Sequence, residues 1–205
     1  MKKYFVTGIG TDVGKTAISA ILVEALEADY WKPIQAGDLH LTDTDKIKQL
    51  ISNAKSIFHP EAYRLNTAAS PHIAAMIDNI HIELEKINLP ETKNSLIVEG
   101  AGGVMVPLNA KGDLMIDLIH KLDVEAIIVS KNYLGSINHT LLTVDALKHK
   151  NIKIKGIIFN GRPEPSSEQY ILNYTGLPCI CRVEEIKTFS KEVIFNYART
   201  IKHNF

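Results

Sequence analysis

Residues 2–16, KKYFVTGIGTDVGKT, constrain this chain more than any other stretch. Tyr4, Phe5 and Val6 read as a short buried strand, and the run from Ala17 to Ala28 places apolar residues at helical spacing. Between them lies a glycine-rich turn ending in Gly14-Lys15-Thr16. A strand, an inward-turned loop and a helix start make an anion site, because the first-turn N–H groups have no partners inside the helix. In this setting Lys15 is expected to reach the outer phosphates of a nucleotide and the Thr16 hydroxyl to ligate Mg²⁺. Asp12, Val13, Gly14, Lys15, Thr16 and Ala17 are accordingly the candidate phosphate-binding residues. The usual pattern carries a glycine five places before the Gly-Lys pair; Ile9 holds that place here, with Gly8 and Gly10 on either side.

A chain of 205 residues suits one domain, expected over 1–205, with room for a full core. Lys and Arg number 23, as do Asp and Glu, so bulk charge recruits neither nucleic acid nor an anionic membrane. Cys179 and Cys181 are too few and too close for a disulfide framework and read as residues of one strand. The start of the chain shows no signal peptide, and no transmembrane run follows, so the expectation is a cytoplasmic protein.

Along the chain, Tyr30 to Ile34 reads as a strand ending at Lys32-Pro33, which puts a lysine at the sheet edge where ligands of parallel sheets bind. Residues 38–46 are polar and acidic and lead into a short helix over 47–53. Asp43 and Asp45 lie near its start, where either carboxylate suits a cap, and either could also serve a phosphate-bound metal. The segment 60–71 has little periodicity and reads as a wall or lid, and a helix is expected from His72 to about Ile87. Leu96-Ile97-Val98 reads as a central strand closed by Glu99, before Gly100-Ala101-Gly102-Gly103. A carboxylate at the end of a buried strand is costly unless paired or bound to metal, which makes Glu99 a candidate Mg²⁺ ligand.

Ala126 to Ser130 and Ile154 to Phe159 are further apolar strands. The first is followed by a turn through Gly135-Ser136 and a helix from about Ile137 to Lys150. The second ends at Asn160-Gly161, where the amide suits either a nucleobase or a turn. A helix over 167–174, a short strand and a helix from Glu184 to about Lys202 complete the chain. Strands with continuous apolar character alternating with helices specify an α/β fold: a mainly parallel central sheet, helices on both faces, of the P-loop nucleoside triphosphatase type. Thr7 to Gly14, Lys32, Glu99 and Asn160 then gather at one edge. A phosphate loop, a second lysine and metal carboxylates are parts for phosphoryl transfer. Those parts suit a small-molecule kinase, an ATP-dependent ligase or a partitioning-type ATPase.

The ordered set Thr7-Gly8 through Thr11-Asp12-Val13-Gly14-Lys15-Thr16, Lys32-Pro33, Ser70-Pro71-His72-Ile73, Val98 to Gly103, Leu134 to His139, and Asn160 resembles the dethiobiotin synthetase family over about residues 2–178. The resemblance implies a C–N-forming ligase of biotin biosynthesis, a homodimer with shared active sites that uses 7,8-diaminononanoate, CO₂ and MgATP. It further implies that Lys15 and Lys32 stabilise anionic oxygens, that Thr11 helps place a carbamate, and that Thr16, Asp45 and Glu99 hold Mg²⁺. Gly100, Ala101, Gly102 and Asn160 join the nucleotide set by the same resemblance. Substrate would meet Thr11, Lys32 and Ala36, with Gly135, Ser136, Ile137 and Asn138 gripping its carboxylate across the dimer. Ala36 stands where familiar members carry a hydroxyl, and Ile180 to Glu184 lacks the family's glycine and proline beside the base, which implies weak base selectivity.

Overall fold

The continuous apolar runs form the middle of a sheet, covered on both sides. The computed structural model describes residues 1–186 and 188–205. It opens with β1 (Lys3–Gly8), α1 (Lys15–Leu26), β2 (Asp29–Trp31), β3 (Ile34–Ala36) and α2 (Asp43–Leu50). The chain continues through β4 (Phe58–His59), β5 (Tyr63–Leu65), α3 (Pro71–Ile77), β6 (Leu96–Gly103), α4 (Met115–Leu122) and β7 (Glu125–Lys131). It ends with α5 (Ser136–His149), β8 (Ile154–Asn160), α6 (Pro165–Thr175), β9 (Cys179–Val183) and α7 (Lys191–Ile201). Seven strands form one sheet in the order β4-β2-β6-β1-β7-β8-β9, every neighbouring pair parallel. Phe5, Val6, Ile97, Val98, Ile127, Ile128, Ile157 and Ile158 at its centre are fully buried.

Strand order fixes where the helices go. The crossover through α1 carries the chain from β1 toward β2, whereas those through α5 and α6 carry it the opposite way, from β7 to β8 and on to β9. Right-handed crossovers in opposite directions put their helices on opposite faces. Accordingly α1 packs with α7 and α2, and α5 packs with α6. The reversal of direction lies beside β1, where open α/β sheets bind their ligands. Among the described residues no helix is long and apolar enough to cross a membrane. Cys179 and Cys181 are free thiols on β9, the strand role expected of them.

Several elements depart from the sequence expectation: the helix expected over 47–53 is α2 at Asp43–Leu50, and the strand expected to close at Glu99 runs on to Gly103 as β6. The strand expected over 30–34 is divided: Pro33 has no N–H for the ladder, so β2 stops at Trp31 and β3 pairs instead with β5 in a separate two-stranded sheet. The helix expected to reach Ile87 ends at Ile77, because Asn79 takes a left-handed φ of 54° and the Ile80 N–H returns to the Ala75 carbonyl at 2.8 Å. The last helix starts only at Lys191, where Ser190 Oγ accepts the Val193 N–H at 3.3 Å. Lys187, inside the expected span, lies outside the described residues.

The start of β2 is pinned by Asp29, which is fully buried. Its carboxylate accepts from the Ile57 N–H at 2.9 Å, the Thr92 hydroxyl at 2.5 Å and Asn94 Nδ2 at 3.2 Å, and it meets His59 Nε2 at 3.2 Å. Burial opposes the charge, but these partners outweigh it and hold Asp29 below its ordinary value of 3.8. A depressed carboxylate contributes stability that is present above its unfolded pKa and lost as pH falls through the folded one. We therefore expect Asp29→Ala to lose about 2–4 kcal/mol at pH 7 by urea denaturation, with its deficit against the parent shrinking below pH 3.8. An equal deficit at pH 7 and pH 3 would show that the charge is not the stabilising feature.

Candidate active site

The ends of β1, β2 and β6 and the loops beyond them enclose a cavity of about 1000 Å³. Thr11, Asp12, Gly14, Lys15, Thr16 and Ala17 form one wall, and Lys32, Ala36 and Asp43 form another. Glu99, Gly100, Ala101 and Gly102 close the floor, while Ala68, Ala69, Ser70 and Pro71 supply the wall expected of the segment 60–71. Of the expected phosphate-loop residues only Val13 does not line the cavity; its side chain is buried in the core.

The loop is shaped by close backbone approach. Gly14 has φ 93°, and a Cβ there would stand 2.1 Å from Asn160 Nδ2, so any larger residue would push this amide away. Asn160 Nδ2 donates to the Val13 carbonyl at 2.8 Å and braces the loop from beneath. Asn160 is not among the residues lining the cavity, and this bond to the loop engages one N–H of its amide. Ile9 fits the place usually held by glycine because its side chain joins the core and its N–H pairs with the Val129 carbonyl at 3.1 Å. In the altered region, Ile180 is buried, and Arg182 pairs with Glu168 and donates to the Gly161 carbonyl at 3.1 Å.

Glu99 is the hub. It is 1% exposed, and its Oε1 accepts from Thr16 Oγ1 at 2.8 Å and from Lys32 Nζ at 3.2 Å. Its Oε2 accepts from the Tyr30 hydroxyl at 3.0 Å. Lys32, 5% exposed, also pairs with Asp43, which receives Lys46 Nζ at 3.2 Å. Burial opposes the charge on Lys32, but Glu99 and Asp43 outweigh it and raise its pKa. Burial likewise works against the Asp43 carboxylate, and Lys32 and then Lys46 hold it below its usual value. Burial pulls Lys15 down to about 8, opposed mainly by Glu99, with the charge of Lys32 adding to the fall. Its ammonium donates to the Gly10 carbonyl at 3.0 Å. Tyr30 is raised well above 10.0 by burial and then by the charge of Glu99, and so remains a donor.

Asp45, expected from the resemblance to serve the metal, is placed elsewhere. Thr42 caps α2: its hydroxyl accepts the Asp45 N–H at 3.1 Å, and Asp45 Oδ2 accepts both the Thr42 hydroxyl at 2.8 Å and the Thr42 N–H at 3.1 Å. This capping box turns Asp45 away from the cavity that Asp43 lines. Asp45 thus closes the cap of α2, and Asp43 pairs with Lys32 at the cavity. Gly135 to Asn138 form the start of α5 and do not line the cavity of their own chain. Tyr30 was not anticipated as a site residue. The signal was available in Tyr30-Trp31-Lys32, since residues two apart on an extended strand share a face.

Two buried cations, a hydroxyl, two carboxylates and a ring of loop N–H groups at one cavity can bind and polarise a phosphorylated ligand. No three of His, Cys, Asp and Glu among the described residues could hold a metal by themselves. A cation here would depend on hydroxyl and phosphate oxygens as well, the habit of Mg²⁺.

A family model described as an AAA domain matches residues 2–193. An ATP-dependent dethiobiotin synthetase of Christiangramia forsetii is 52% identical over 201 residues, covering 98% of this chain and 96% of that protein. The enzyme of the same name from Cytophaga hutchinsonii is 52% identical over 206 residues, covering 100% and 99%. Among solved structures, a ParA family ATPase from Chlorobium tepidum matches with a TM-score of 0.59 at 14% identity, covering 97% of this chain and 99% of that one. The septum site-determining protein MinD of Pyrococcus horikoshii also gives 0.59, at 13% identity and with 98% and 95% covered. These two likenesses show the fold. The sequence identities run the length of both partners, and the chain belongs to the ATP-dependent dethiobiotin synthetase family.

Proposed function

We propose that this chain joins CO₂ to 7,8-diaminononanoate and closes the ureido ring of dethiobiotin, converting ATP to ADP and phosphate. The observation that carries this reading is the convergence of Lys15, Thr16, Lys32, Asp43 and Glu99 on one cavity, in a chain of this family. One amine adds to CO₂ and releases a proton, giving a carbamate. A carbamate oxygen attacks the γ-phosphorus and ADP leaves. The second amine then attacks the carbon of the mixed anhydride, the C–O bond breaks and phosphate leaves with its electron pair, the amine releases a proton, and the ring closes.

Lys15 and Lys32 neutralise anionic oxygens as charge moves from carbamate to phosphoryl group, where fixed cations in a shielded cavity are most effective. Thr11 places the carbamate from the loop side. Ala36 cannot donate, and Ser70 offers a hydroxyl on the same cavity. Oxygen donors from Thr16, Glu99 and Asp43 fit Mg²⁺, which when bound screens phosphate charge and aligns its oxygens. A second copy of the chain would complete the site, its α5 N-terminal N–H groups at Gly135 to Asn138 meeting the substrate carboxylate. The exposed Leu134 beside that turn is consistent with coverage in such a homodimer. The reading places the reaction in the cytoplasm, where MgATP is supplied.

Asp43→Asn is expected to abolish the Mg²⁺ dependence of ADP binding, whereas Asp45→Asn should retain it and lose about 1 kcal/mol of stability with the cap. Calorimetric titrations with and without EDTA decide this, and the opposite ranking would restore Asp45 as the ligand. Inactive Asp43→Asn subunits mixed with subunits altered at Asn138 should recover part of the activity. No recovery from a mixed dimer would count against shared sites.

Incubation with MgATP, 7,8-diaminononanoate and ¹³C-bicarbonate should yield dethiobiotin carrying the label, with matching ADP and phosphate. A stable phosphorylated product without label would indicate a kinase. ATP turnover indifferent to diamine and bicarbonate would indicate a partitioning-type ATPase.

A further inference from the structure

Tyr30 reaches the reaction centre without lining it. It is fully buried in β2, and its ring packs against Phe58 with centroids 5.9 Å apart. In the ladder Tyr30 stands opposite Ile97, so its face continues diagonally to Glu99, two residues on in β6. The hydroxyl donates to Glu99 Oε2 at 3.0 Å, while Oε1 takes Thr16 and Lys32. The two carboxylate oxygens therefore have separate partners, one set inward and one at the cavity. The terminal torsion of a glutamate is otherwise broad and nearly two-fold, so nothing intrinsic to the side chain keeps Oε1 at the cavity.

We propose that Tyr30 is a positioning residue: its hydroxyl fixes the plane of Glu99 and so presents Oε1, together with the Thr16 hydroxyl, for Mg²⁺. This rests on the reading of Glu99 as a metal ligand. Partners behind a ligating carboxylate orient it, and their removal commonly weakens metal binding by about 10–100-fold. Tyr30→Phe removes one oxygen and keeps the ring against Phe58, so packing and positioning are separated.

The measurement is the Mg²⁺ enhancement of ADP binding, taken as the ratio of affinities in Mg²⁺ and in EDTA. Tyr30→Phe should lower this ratio about 10-fold or more while leaving affinity in EDTA unchanged. Glu99→Gln should abolish the enhancement, and adding Tyr30→Phe to it should cause no further change. An enhancement lost in Glu99→Gln but intact in folded Tyr30→Phe would overturn the inference alone. An enhancement present in the parent and intact in Glu99→Gln would overturn the metal reading beneath it. Should Tyr30→Phe fail to fold, 3-fluorotyrosine at position 30 gives a second reading: its ¹⁹F resonance should shift when Mg²⁺ joins the ADP complex. A resonance indifferent to Mg²⁺ would overturn the proposal.

Discussion

A carboxylate buried in the middle of a parallel sheet is the feature on which the rest of the site depends. Glu99 sits 1% exposed inside β6, directly after its apolar Leu96-Ile97-Val98 run, where an unpaired charge would cost several kcal/mol on the order of the desolvation penalty. Thr16, Tyr30 and Lys32 compensate it from three different elements. Each partner is thereby held in place: the helix start after the phosphate loop, the inner ring of β2 and the lysine just past that strand. Lys32 in turn secures Asp43 at the start of α2. The same network that satisfies the buried charge thus assembles the groups that phosphoryl chemistry needs.

Backbone geometry supplies the remainder. All neighbouring strands of the main sheet are parallel, so their carboxyl ends share one edge, and the reversal of direction beside β1 opens the crevice there. Pro33 ends β2 and frees the following residues to form a second small sheet with β5, which carries the chain around the cavity to Ala68 and Pro71. Asn160 secures the phosphate loop from the neighbouring strand end. The site is consequently built on sheet ends, which limits the motion of its charged groups.

Much of this was legible in residues close together in sequence. The strand, loop and helix start of residues 2–16 announce themselves locally, and Glu99 is conspicuous as an acid closing an apolar run. Lys32 is legible as the end of a strand. Asp43 and Asp45 were not separable, because both suit the first turn of a helix. The helix orientation separates them, sending Asp45 back to Thr42 and Asp43 toward Lys32. Tyr30 was hidden for another reason: a buried tyrosine on a strand looks like core, and only the diagonal register with β6 reveals its partner. The early end of α3 depends on one left-handed residue, Asn79, within a pattern that otherwise continues. For Asn160 the sequence offers base or turn, and the fold adds a bond from its amide to the loop.

The central claim is that Lys32 and Glu99 stabilise one another as a buried ion pair. A double-mutant cycle on urea unfolding in EDTA tests it most directly, using Lys32→Met, Glu99→Gln and the two combined. The account predicts a coupling energy of about 1.5 kcal/mol or more, because each single substitution removes an opposite charge that offsets the burial of the other. Additive effects, with coupling within about 0.3 kcal/mol of zero, would contradict it.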